Sequence, residues 1–283
     1  MPATLQAIGL ALMLLARPLG GQHPPVVLAG TEQRTLSSDV NSVSYKLYVA
    51  LPAGYDTSAV RYPVVYLLDA DYSFAIARNI VQHLSERGHL PPAIIVGIAY
   101  DGPPQYRRHR TRDYTPTHVP SGGYGAEVQA VSGGGPRFRR FIADELIPFI
   151  EREYRSSAMR VLVGHSYGGL FAAWVALHDP RLFGGYVIVS PSLWYDDHLL
   201  FSAERRLAAA SGDLPARLYL AVGSREINGQ RNMVADLRRF ATVLERRNHP
   251  GLRLRWSVED GETHNSVFPG ALSDGLRFVL GGR

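Results

Sequence analysis

Val161-Leu162-Val163-Gly164-His165-Ser166-Tyr167-Gly168-Gly169-Leu170 is the stretch on which the fold of this chain turns. Three apolar residues suited to a buried strand run into Gly-x-Ser-x-Gly, and Leu170, Ala173, Trp174 and Leu177 then recur at helical spacing. The pattern is strand, sharp turn, helix, with a serine at the apex. Gly164 and Gly168 leave out the side chains that would collide with the neighbouring strand and helix. The Ser166 hydroxyl then stands clear of the sheet. The Tyr167 N–H sits at a helix N-terminus, aimed at any oxyanion formed there. Five residues alone match by chance and read equally as a glycine-rich turn capped by serine. The flanking strand and helix favour a nucleophile.

Outward from this turn, the chain alternates strands and helices. Residues 44–51 alternate apolar and polar, as a half-buried strand does. Residues 63–68 and 93–99 are continuously apolar, the mark of central strands covered on both faces. A helix is expected over 73–87, and residues 100–135 read as a long irregular segment rich in arginine and glycine. An amphipathic helix is expected over 136–154. After the serine turn come strands at 185–190, 217–222 and 252–258, with helices near 198–210, 230–248 and 266–280. Such alternation requires crossover connections, hence a mainly parallel, doubly wound α/β sheet of about eight strands flanked by helices. Its site belongs at the carboxyl ends of the strands.

That edge receives four loops, and a triad can be assembled from them. A serine needs a base to take its proton. Of the ten histidines, His264 follows the last strand in Gly261-Glu262-Thr263-His264-Asn265-Ser266, the base's place when the chain order is serine, acid, histidine. The bland alternative is a helix-capping loop histidine. The acid should follow the strand at 217–222, where Glu226 is the carboxylate of Gly223-Ser224-Arg225-Glu226-Ile227-Asn228. A salt bridge to Arg225 or Arg231 would explain it equally, and Asp260 and Glu262 compete for the role. The second oxyanion donor is expected from the backbone of Asp71 or Tyr72, after the strand at 63–68, unless these residues only cap the next helix. Arg112, Trp194 and Tyr195 are candidate substrate-binding residues. They lie on loops returning to the same edge, and arginine beside aromatic faces suits a flat anionic ligand. Alternatively, Arg112 pairs with Asp113 and only fixes its loop.

Composition narrows the partners. The chain has 283 residues, 46% of them hydrophobic, enough for one catalytic domain over residues 26–283. Its net charge is +5, carried almost wholly by arginine, yet no basic helix or basic–aromatic module points to nucleic acid. Cysteine is absent, so neither disulfides nor thiolate metal sites are available. No His-Glu-x-x-His and no phosphate loop occurs, so neither metal nor cofactor is expected, and the partner is a small-molecule ester. Ala7 to Ala16 form an apolar run too short to span a bilayer. It fits a signal-peptide core, so residues 1–25 are expected to be a signal and linker on an exported protein without stable membrane insertion; no Lys or Arg precedes the run and no Ala-x-Ala site follows it, which keeps a cytoplasmic location as the alternative.

Several pieces together resemble one family. They are Val64-Val65-Tyr66-Leu67-Leu68-Asp69, Arg112-Asp113-Tyr114-Thr115-Pro116, Gly164-His165-Ser166-Tyr167-Gly168-Gly169, Ser190-Pro191-Ser192-Leu193-Trp194-Tyr195 and His264-Asn265-Ser266-Val267. Over about residues 40 to 280 the chain resembles the esterases of the esterase D type, within the α/β-hydrolase superfamily. The Arg-Asp-Tyr-Thr-Pro piece narrows the likeness to the branch containing ferric-siderophore esterases of the enterobactin and salmochelin type. The resemblance implies an α/β-hydrolase fold, Ser166 as nucleophile and His264 as base. Some members work with a Ser–His pair alone, which leaves the acid open. S-formylglutathione hydrolases, feruloyl esterases and mycolyltransferases also belong to this family, so a short-chain esterase or an acyltransferase stays an alternative. A silent binding protein fits poorly with an intact Ser166, His264 and candidate acid.

Overall fold

The computed structural model describes residues 26–100, 105–210, 212–229 and 231–281. The apolar run at 7–16 lies outside them. An eight-stranded sheet forms the centre. In chain order the strands are β1 (Thr31–Ser37), β2 (Ser44–Ala50), β3 (Tyr62–Leu67), β4 (Ile94–Ala99), β5 (Ser156–His165), β6 (Gly185–Val189) and β7 (Arg217–Gly223). A two-stranded hairpin of β8 (Ile227–Asn228) and β9 (Arg231–Asn232) precedes the last sheet strand, β10 (Arg253–Glu259). The spatial order is β1-β2-β4-β3-β5-β6-β7-β10. β1 and β2 run antiparallel to their neighbours and every other pair is parallel. The parallel, doubly wound α/β expectation therefore holds, with the antiparallel edge strand β1 added.

Helices cover both faces. They are α1 (Ala70–Glu86), α2 (Tyr106–Tyr114), α3 (Ala126–Gln129), α4 (Gly135–Phe141), α5 (Ile147–Glu153), α6 (Tyr167–His178), α7 (Tyr195–Ala209), α8 (Met233–Arg247) and α9 (Phe268–Leu280). The strand pleat divides the core. In β5, Val161 and Val163 join the layer containing Phe74 and Ala77 of α1 and Leu272 and Leu276 of α9. Leu162, between them, joins the opposite layer with Phe138, Phe171, Leu200 and Phe240. Alternate residues of a strand point to opposite faces, so a strand apolar throughout must be covered twice. Helix α6 follows the same logic: every residue from Tyr167 to Leu177 is buried, and it has no polar face. Each large side chain buried there contributes roughly 1.5–3 kcal/mol. Among the described residues, no helix is long and apolar enough to cross a membrane.

Strand order also locates the crevice. From β3 the chain steps to β4, then returns past β3 to β5 and continues outward through β6, β7 and β10. The direction of winding reverses between β3 and β5, and ligands bind beyond the carboxyl ends of strands at such a reversal. The two loops leaving that point carry Asp69 and Ser166.

The segment at 100–135 is more ordered than the sequence suggests. It contains α2, whose buried residues are Arg110, Thr111, Asp113 and Tyr114. An arginine, a threonine and a carboxylate occupy inward positions, so no apolar periodicity announces this helix. The helix expected over 136–154 is present as α4 and α5, joined by a π-helical turn over Ile142–Leu146.

Candidate active site

Ser166 has φ 61° and ψ −116°, a strained conformation for a residue with a side chain. Its neighbours enforce it. The Ser166 N–H donates to the Val189 carbonyl at 3.0 Å, and the Ser166 carbonyl accepts from Leu170 N at 2.9 Å and Ser192 N at 3.2 Å. A Cβ on residue 164 would stand 2.2 Å from the Gly168 carbonyl oxygen, and one on Gly169 would stand 2.9 Å from that of Val189. Only glycine fits where strand and helix backbones approach this closely.

Two further loops place a hydrogen-bonded histidine and carboxylate in the wall of the cleft that holds Ser166. The Glu226 carboxylate accepts from His264 Nδ1 at 2.6 Å through Oε2. Its Oε1 accepts from Ser190 Oγ at 2.5 Å and from the Gly223 N–H at 2.8 Å. Because a carboxylate accepts, the His264 proton sits on Nδ1 and the lone pair on Nε2, as a base requires. The Glu226 side chain is 1% exposed. The β7 and β10 loops are laced together by Ser224 N to Glu259 O (2.9 Å) and Arg225 N to Glu262 O (3.0 Å). Glu262 holds Ser266 Oγ, and Glu259 holds Ser257 Oγ.

His165 packs behind this array. Its ring centroid lies 4.6 Å from that of His264, and its Nδ1 lies 2.9 Å from the Tyr72 hydroxyl. Burial first, and then the neighbouring His264 and Arg110, hold its pKa well below the usual histidine value. It stays neutral near pH 7, so it does not repel a proton arriving on His264.

The cleft over Ser166 measures roughly 670 Å³. Its wall includes His264, Glu226, Trp194 and three arginines, Arg107, Arg225 and Arg231. Glu226, the one carboxylate among these lining residues, is turned to His264. The Arg231 guanidinium lies 3.9 Å from the centroid of the Trp194 ring. A smaller recess beside Ser166 is bounded by Tyr72, Tyr106, Tyr124, His165 and Phe268.

The structure thus brings Ser166, His264, Glu226, Tyr167 and Trp194 together at one edge. Tyr72 borders the smaller recess, but its N–H is committed to the Asp69 carbonyl at 3.2 Å in the first turn of α1. The Asp71 carboxylate accepts from Tyr100 N at 2.8 Å. Arg112 and Tyr195 are absent from the cleft wall. Arg112 is clasped by Asp113 through Nε at 2.7 Å and Nη2 at 2.9 Å, the loop-fixing alternative. Tyr195 is buried, and its hydroxyl donates to the Thr117 carbonyl at 2.8 Å. Sequence reasoning passed over Arg225, Arg231 and Asn228 as cleft residues. Asn228 and Arg231 sit on the β8–β9 hairpin, a two-residue pairing with no pattern of its own, and Arg225 is tied to the loop after β10 through its N–H.

A strained serine at a strand-to-helix turn, with a histidine and a carboxylate on later loops, defines a serine hydrolase of the α/β-hydrolase type. The chain belongs to the Putative esterase family, which it matches over residues 38–273. It is 33% identical to the ferri-bacillibactin esterase BesA of Bacillus subtilis over 274 residues, 93% of this chain and 94% of that one. Among solved structures, the BES protein from Bacillus cereus superposes with a TM-score of 0.80 at 28% identity, covering 92% of this chain and 98% of its own. An IroE-like serine hydrolase from Shewanella oneidensis superposes at 0.79 with 33% identity, covering 88% and 80%. This chain is a carboxylic ester hydrolase.

Proposed function

We propose that the chain hydrolyses the backbone esters of an anionic, catecholate-type siderophore through an acyl-enzyme on Ser166. The observation that carries the reading is the cleft itself. Three arginines and the Trp194 ring face the serine, and no carboxylate is spare to oppose an anion. The names of the relatives support the same class, since BesA acts on ferri-bacillibactin.

The steps follow from the positions. Ser166 Oγ attacks the ester carbon while His264 Nε2 takes its proton. Glu226 holds the His264 tautomer and stabilises the imidazolium. The carbonyl oxygen gathers negative charge and is met by the Tyr167 N–H and, of the two further donors named from sequence, Asp71 and Tyr72, by that of Asp71, since the Tyr72 N–H is committed to the Asp69 carbonyl. The bond to the alcohol oxygen breaks as His264 returns the proton to it, leaving the acyl group on Ser166. Water attacks next, His264 takes its proton, and the free acid leaves with Ser166 restored. The cleft arginines hold the substrate through charge, so they act on binding.

The test is hydrolysis of a tri-catecholate trilactone, free and iron-loaded, beside p-nitrophenyl acetate. Ser166→Ala should lose about 10⁴–10⁶ in kcat on each. A wild-type enzyme that cleaves only the neutral ester would overturn the siderophore reading. An added alcohol acceptor distinguishes transfer from hydrolysis; the relatives give the transferase alternative no support.

A further inference from the structure

Ser190 is the residue after β6, 0% exposed and held at φ 44°. A residue with a side chain rarely takes this left-handed backbone, and the proline that follows, Pro191, narrows the choice further. Burial of a hydroxyl adds to the cost, so the bond that Ser190 makes is informative. Its Oγ donates to Glu226 Oε1 at 2.5 Å.

The backbone on either side fixes where that hydroxyl points. The Ser190 N–H donates to the Ala221 carbonyl at 2.7 Å, on β7, the strand whose loop carries Glu226. Two residues on, the Ser192 N–H donates to the Ser166 carbonyl at 3.2 Å. Pro191, between them, packs against α6, since a Cβ on Gly169 would stand 3.0 Å from Pro191 Cα. The loop leaving β6 is thus seated on the nucleophile turn and bonded to the acid. A carboxylate turns about its last bond with only a shallow preference, so its donors decide the angle. His264 Nδ1 takes Oε2 of Glu226, while Ser190 Oγ and the Gly223 N–H take Oε1. The Gly223 N–H belongs to the same short turn as Glu226, whose own N–H donates to the Gly223 carbonyl at 3.1 Å. It moves with the acid, and His264 is the group to be positioned. Ser190 is the donor that stands on a different loop from both.

We propose that Ser190 is a positioning residue: its hydroxyl fixes the rotation of the Glu226 carboxylate, so that Oε2 faces His264 Nδ1, and ties the acid to the nucleophile turn. The proposal rests on the reading of Ser166 as nucleophile and Glu226 as acid, and is independent of which ester the cleft takes. Ser190 touches neither substrate nor the reacting atoms, so it acts through Glu226. Without the hydroxyl, the buried carboxylate is free to turn, and His264 loses its fixed ring direction and tautomer. His264 moves protons in both the acylation and the deacylation step, so both slow together and KM is held.

The experiment measures p-nitrophenyl acetate turnover and Tm in wild type, Ser190→Ala, Glu226→Gln and the double variant. Ser190→Ala should lose about tenfold in kcat with KM within about threefold. In the Glu226→Gln background the same substitution should cost less than about twofold, because no carboxylate is left for the hydroxyl to orient. A serine that only packs the loop would instead give equal fold losses in the two backgrounds, and that outcome overturns the proposal. So does a folded Ser190→Ala enzyme with kcat within about twofold of wild type. If the alanine variant does not fold, Ser190→Gly replaces it, since glycine takes a left-handed backbone without strain and also lacks the hydroxyl. The same losses are expected of it, and the same outcomes count against the idea. Glu226→Gln with near wild-type turnover removes the acid reading and the proposal with it. Loss in Glu226→Gln beside full turnover in Ser190→Ala removes the Ser190 role alone, so the two failures are distinguishable.

Discussion

Glu226 gathers three donors on two oxygens: His264 Nδ1, Ser190 Oγ and the Gly223 N–H. Glutamine in its place keeps the volume but turns one acceptor into a donor. The amide must then face either the Nδ1 proton or the Ser190 and Gly223 donors. Either arrangement leaves a buried group unmatched or forces the other His264 tautomer, with its lone pair facing inward. Glu226→Gln is therefore expected to keep its fold and lose roughly 10²–10⁴ in kcat, read by steady-state kinetics beside a circular-dichroism melt. Near wild-type turnover would mean that Ser166 and His264 work as a pair. The contrast with Arg112 is instructive. Glu226 lies on the loop after β7 and Arg112 in the last turn of α2, where it spends its fork on Asp113, the next residue along.

The strand-turn-helix unit from β5 to α6 tolerates almost no added volume. A methyl group on residue 164 would stand 2.2 Å from the Gly168 oxygen and 2.4 Å from its carbon, and both atoms are backbone that cannot swing aside. Gly164→Ala should cost about 3 kcal/mol or more. For a domain of this size that lowers Tm by roughly 6–12 °C, and the displaced Ser166 should take most activity with it. Gly270, on the exposed side of α9, has no left-handed φ, and a methyl group added there would meet nothing within 4 Å. Gly270→Ala should leave activity unchanged and raise Tm by a degree or more, because alanine at a compatible position has less unfolded-chain freedom to lose than glycine, about 0.4–1 kcal/mol. A calorimetric scan of both variants decides the point. A Gly164→Ala enzyme as stable as wild type would show that the turn can relax.

Charge over the whole molecule is positive, +5, and the cleft over Ser166 concentrates Arg107, Arg225 and Arg231. A positive cleft raises the encounter rate of an anionic ester, and salt screens that attraction over about 8–10 Å at ordinary ionic strength. The kcat/KM for a tri-catecholate ester should fall several-fold as salt rises from about 0.05 to 0.5 M. The value for p-nitrophenyl acetate should stay flat across the same range. Parallel behaviour of the two esters would remove charge from the account of specificity.

Much of this architecture is legible in the chain alone. Continuous apolar runs at 63–68 and 93–99 can only be strands covered on both faces, and the alternation of such runs with helical periods dictates a parallel sheet. The serine turn reads directly because glycine spacing and backbone strain are local properties. His264 reads from its place after the last strand. Tertiary structure alone decided the rest. Which arginine of the 107–112 run turns inward depends on Asp69, 41 residues earlier, and the inward face of α2 carries no apolar stripe to reveal it. Glu226 and His264 lie 38 residues apart and meet only because β7 and β10 pair in register. Arg231 reaches the cleft on a hairpin of two residues a side. Hydrophobic periodicity is written along the chain. Charge pairing at long separation becomes definite only when the packed sheet brings its partners together and removes the water that would otherwise satisfy each of them.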